Sequence, residues 1–109
     1  VDGRTLWARR LRELLAVHLA DLGGEENVSE AERSIVRRAC ALEVELERLE
    51  ARFASAGDAG PRPEDLDLYN RLSGNLRRLL ESVGLQRRQR DVTPDPLDYA
   101  RARAAEAGR

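Results

Sequence analysis

The sequence has no lysine and no methionine, one cysteine, one histidine and only four aromatic residues in 109. Each scarcity excludes something. Cys40 alone forms no internal disulfide, and with His18 as the only histidine there is no His/Cys set for zinc. The single cysteine also fits a reducing compartment, so the expected location is the cytoplasm. No run alternates Val, Ile, Thr and aromatics, which argues against a sandwich or barrel. No apolar run approaches the roughly 20 residues of a membrane span. No signal peptide or lipidation motif is present, and no membrane contact is expected. The chain opens on Val1 instead of Met, which is compatible with a processed or truncated N-terminus. A dominant charge is lacking too. Nineteen basic and twenty acidic residues leave a net charge of -1, so no whole-molecule field draws the protein to DNA, and nucleic-acid contact has to be local.

What is present is helical texture. Apolar residues make up 41% and are mostly Leu, Val and Ala, the composition of packed helices. A chain of this length fits one domain with a small core. All nineteen basic residues are arginine; a GC-rich coding sequence accounts for that, and it also supplies rigid bidentate donors for phosphate and carboxylate.

The fold class predicted is all-α: an N-terminal helix, a long antiparallel helical hairpin, and an extended C-terminal tail. The first helix, about 4–22, carries Trp7, Leu11, Leu14, His18 and Leu22 on one stripe and ends at Gly23-Gly24. Ser29 with Glu32 forms a capping box that opens the second helix, about 29–55. Its seam of Ile35, Ala39, Leu42, Leu46, Leu49 and Phe53 steps by four and three, a heptad pattern. Residues 54–62 read as the hairpin connection, and Pro63 opens a third helix to about 83. Tyr69, Leu72, Leu76, Leu79 and Val83 form its stripe, with Leu66, Leu68 and Leu80 beside it. Residues 1–84 make a helical oligomerisation domain and 85–109 an Arg- and Pro-containing tail. Within the tail, Thr93-Pro94-Asp95-Pro96 forces extended geometry before a short, weak helix from Leu97 to about Ala105.

Helix two carries a second, thinner apolar stripe, Val36, Cys40 and Val44, roughly 140° from the seam at 100° per residue, and helix three has an apolar arc of about 160°. A two-helix hairpin covers neither surplus. Helix one covers it, or neighbouring copies do and the protein is an oligomer.

Catalytic chemistry finds little to work with. His18, on an apolar stripe, reads as a hydrogen-bonded core histidine. Glu43, Glu45, Glu47 and Glu50 spread over more than half of the helix circumference and interleave with Arg48 and Arg52, the pattern of a solvated salt-bridged face. Glu25-Glu26 after Gly23-Gly24 is the wrong charge for a phosphate loop. No catalytic residue, cofactor or metal site is expected, and the chain is read as not an enzyme. Arg9, Arg12, Arg87, Arg88 and Arg90 lack equally dense acids nearby and are the candidate phosphate contacts; the competing reading is that arginines near a helix C-terminus complement its dipole. No compact helix-turn-helix with a short recognition helix is visible.

The order of features, "LGGEENVSEAERSIVRRACALEVELERLEA", "YNRLSGNLRRLLESVGL" and "RRQRDVTPDPLDY" after an arginine-rich first helix, resembles phage and prophage terminase small subunits from GC-rich bacteria. The resemblance implies a non-enzymatic protein that assembles into a ring-like homo-oligomer through residues 29–83. It also implies that this ring engages double-stranded viral DNA and recruits the large terminase subunit for genome packaging. On that mapping Ile35, Ala39, Leu42, Leu46, Leu49, Tyr69, Leu72, Leu76 and Leu79 pack the hairpin and the oligomer. The tail would contact the large subunit, with Leu97 and Tyr99 as apolar anchors. Many such subunits carry an N-terminal helix-turn-helix, from which this sequence departs. The alternative is a helical-hairpin adaptor or regulator that binds protein and no nucleic acid. A transcriptional regulator would need base-reading residues that the sequence lacks.

Overall fold

The computed structural model describes residues 5–84, 101 and 103–105. It is all-α, with no strand among the described residues. Three α-helices make up residues 5–84: α1 (Leu6–Asp21), α2 (Glu30–Ala54) and α3 (Pro63–Ser82). Residues 101 and 103–105 are also helical.

Local chemistry sets each boundary. The Thr5 hydroxyl accepts from the Ala8 amide at 3.1 Å, so α1 begins just after Thr5, where an oxygen satisfies one of the orphan N–H groups. Gly23 and Gly24, at φ +101° and +99°, stop α1. Their amides donate to Ala20 and Leu19 carbonyls, the paired closure that needs a left-handed residue after the cap. A 3-10 turn over Glu25–Asn27 follows. The Ser29–Glu32 capping box is formed in both directions, at 3.0 and 3.1 Å. At 25 residues, α2 is ~37 Å long. A second 3-10 turn, Gly57–Ala59, lies in the connection to α3. Pro63 sits in the first turn of α3 with Glu64 and Asp65 behind it, where the helix dipole favours negative charge.

The central element is α2, with α1 packed on one side and α3 on the other, and little direct contact between α1 and α3. Short connections make both flanking helices antiparallel to α2. The thinner stripe of α2 is the deepest part of the molecule: Val36 and Cys40 are fully buried and Val44 nearly so. They form one cluster with Leu14 and Leu22 of α1 and with Val83 at the end of α3, and Leu11, Leu15, Val28 and Ile35 pack against it. Burying a Val or Leu side chain completely is worth ~1.5–3 kcal/mol, so this cluster holds α1 in place. Helix one therefore covers the surplus stripe of α2. On the seam facing α3, Ala39, Leu46 and Leu49 are buried, while Leu42 and Phe53 are half-buried.

Two expectations are corrected here. Trp7, assigned to the core stripe of α1, is 36% exposed, because α1 at its first turn reaches past the edge of the Val36–Cys40–Val44 stripe. The glutamate run of α2 is not merely a solvated face, as the next subsection shows.

Candidate functional site

Four glutamates on α2 each take a partner from a flanking helix. Glu43 Oε1 accepts from His18 Nε2 at 2.6 Å. A carboxylate has only acceptors to offer, which selects the histidine form protonated at Nε2. Glu45 Oε1 accepts from the Trp7 indole N–H at 3.1 Å. Glu47 takes two bonds from Arg10, at 3.0 Å from Nε and 2.9 Å from Nη2, and Arg10 also reaches Glu13 at 3.0 Å. That hydrogen bonding to Arg10 holds the Glu47 carboxyl below the usual carboxylate range and raises the guanidinium. On the other side, the Tyr69 hydroxyl donates to Glu50 Oε2 at 2.7 Å, which raises the phenol's pKa. Three of the four glutamates thus dock α1, and the fourth docks α3. Arg48 does pair with Glu45, at 3.3 Å, whereas Arg52 turns to Asp65 of α3 at 3.5 Å. Phe53 meets Tyr69 edge to face at 5.4 Å, the geometry aromatic quadrupoles favour.

His18 is half-buried and hydrogen-bonded to Glu43, as the stripe position suggested. It stands at the edge of an open groove of about 430 Å³ running between α1 and α3 along α2. Leu46 lies at its base, Leu76 and Leu80 line the α3 side, and Glu43, Glu47 and Glu50 supply the polar atoms. The groove exists because α3 buries none of its residues completely: Leu72, Leu76, Leu79 and Leu80 are half-buried, and Leu66 and Leu68 are 43% and 38% exposed. A second groove, about 520 Å³, lies where the first turn of α1 leans over α2 beside Val44, Glu47 and Ala51.

This chemistry is that of a contact surface. Leucines with carboxylates already engaged by neighbours offer no activated nucleophile, and no group of three or more His, Cys, Asp or Glu suited to a metal ion occurs among the described residues. Burial, with Glu43 adding to it, pushes the Cys40 thiol up to about 11, which keeps it protonated and unreactive at neutral pH.

The predicted hairpin residues do come together on the facing sides of α2 and α3, except that Ile35 also leans on the α1-side cluster. Arg9 and Arg12 are both exposed on α1, and neither has an ion-pair or hydrogen-bond partner among the described residues. Arg87, Arg88, Arg90, Leu97 and Tyr99 lie outside the described residues. Sequence reasoning missed the interhelical roles of Trp7, Arg10 and the four glutamates. The signal available was the spacing of the acids, which gives α2 carboxylates on both flanks but does not say which neighbour occupies which flank.

No helix among the described residues is long and apolar enough to cross a membrane. No protein-family model, curated protein or solved structure matches the chain.

Proposed function

We propose that this chain is a non-enzymatic assembly subunit of the small-terminase type. Copies associate through their helical faces, engage double-stranded DNA through arginines, and present the C-terminal strip with Leu97 and Tyr99 to the large, catalytic packaging subunit. The observation that carries the reading is α3: a 20-residue helix with an apolar face that buries no residue completely within its own chain. A folded monomer that leaves a leucine-lined groove in water is marked for association. Arg9, Arg12 and Arg37 are exposed and without a carboxylate partner among the described residues, so a phosphate contact costs none of the ion pairs described above. A ring multiplies weak contacts of this kind into usable avidity.

Light scattering coupled to size exclusion, followed by DNA retention between 50 and 200 mM salt, tests the proposal. A discrete multi-subunit mass is expected, with DNA retention that falls steeply as salt rises, because phosphate contacts release counterions. Deleting residues 86–109 is expected to weaken binding to the large subunit while leaving assembly intact. A second reading, an adaptor that binds one helical protein and no nucleic acid, is favoured by a specific observation: α1 already covers Val36, Cys40 and Val44, so that face needs no neighbour. A single-chain mass with salt-insensitive DNA behaviour would select the adaptor.

A further inference from the structure

With α1 and α3 on either side of α2 and barely touching each other, the described helices are a four-helix bundle with one helix missing. The vacant position is the leucine–glutamate groove. A helix laid there would touch α1, α2 and α3 at once, the arrangement that closes such bundles.

We propose that the outer face of α1 from a second copy fills the groove, so that subunits join head to tail; the inference rests on the self-association proposed above. The outer face of α1 has what the groove lacks. Leu6 and Val17 are 79% and 57% exposed, and at 100° per residue they fall within about 20° of each other on the helix wheel. Ala16 and Ala20, also exposed, flank Val17 and allow a close approach of helix to helix. Arg9 and Arg12 lie along one side of this face, without partners among the described residues.

The groove supplies the complementary half. Leu46, Leu76 and Leu80 are its apolar contacts, and no arginine lines it. Glu43 and Glu50 each engage one carboxylate oxygen with a partner, Oε1 with His18 and Oε2 with Tyr69, and each keeps a second oxygen with lone pairs to offer. The lengths agree as well: Glu43 to Glu50 spans ~10 Å along α2 and Arg9 to Val17 ~12 Å along α1. Donor and acceptor surfaces are different parts of the chain, so the contact is heterologous, and it closes into a ring or continues as a filament according to the rotation per subunit. It also gives Arg9 and Arg12 to the protein contact and leaves DNA to other arginines, Arg37 among those described.

Two variants test the inference, one on each surface: V17E on the outer face of α1 and L80E on the groove wall. Circular dichroism checks that both keep the helical content of the unaltered chain; if L80E does not, L80Q replaces it. Each variant alone is expected to fall to a single-chain mass by light scattering. Their equimolar mixture is expected to form a discrete heterodimer, since V17E retains an intact groove and L80E an intact outer face. An unaltered chain that assembles while V17E or L80E still assembles, or a mixture that stays at single-chain mass, overturns the groove contact and leaves the self-association standing. An unaltered chain that is itself a single chain overturns both.

Discussion

At the scale of single residues, the depth of Val36 and Cys40 decides what substitutions do. Val36→Ala removes two methyl groups from a site with no exposure and is expected to cost ~1–3 kcal/mol, transfer plus cavity. Leu66→Ala, at 43% exposure, is expected to stay within ~0.5 kcal/mol. Urea unfolding of the two variants side by side checks the contrast; similar losses would mean that the deep stripe is not where the stability lies. Cys40 provides a second readout. With its thiol buried and pushed up to about 11, it is expected to resist a thiol-specific reagent at pH 8 in the folded protein and to react fully in denaturant. At this scale the apolar pattern was readable in advance, but its ranking was not. Val36, Cys40 and Val44 are small residues on a thin stripe, and they reach the centre only because α1 lies over them.

At the scale of elements, caps announced the helices well. Ser29 with Glu32 and Gly23-Gly24 work through local hydrogen bonds and local backbone geometry, so their effect survives without tertiary context. How α1 is held is another matter. The Arg10–Glu47 pair ties it to α2 through a carboxyl whose folded pKa is depressed. Such a group contributes stability above its unfolded value of about 4.3, and the contribution is lost as pH falls through the folded pKa. Acidification is therefore expected to loosen α1. Trp7, which donates to Glu45 and is the only tryptophan, reports it by fluorescence. In Glu47→Gln the acid-dependent change in Trp7 emission is expected to shrink, while stability at neutral pH falls slightly, as for other partly exposed pairs. An unchanged acid profile would assign the transition to Glu43 or Glu45 instead.

At the scale of the whole molecule, one helix screens another. Removing residues 1–22 strips the cover from Val36, Cys40 and Val44. The remaining hairpin is expected to bind an apolar dye such as ANS strongly and to associate without defined stoichiometry, because both sides of α2 then present apolar surface. Dye binding no greater than that of the full chain would mean that α3 shifts to cover the exposed stripe. The same architecture explains why the glutamate run misled. Sequence spacing put its charges on a wide arc and suggested solvent. In the folded chain that arc lies between two neighbours, and the carboxylates meet His18, Arg10, Trp7 and Tyr69.

The sequence by itself determined that this chain is helical, where its three principal helices begin and end, and which residues face a partner of some kind, because helix period, capping hydrogen bonds and glycine conformations are set within a turn or two. Only the tertiary structure decided which partner each face receives. That α1 takes the thin stripe of α2, that its glutamates dock both neighbours, and that a groove remains between α1 and α3 all depend on packing residues more than 20 positions apart, where shape and charge select the contact and no local pattern records it.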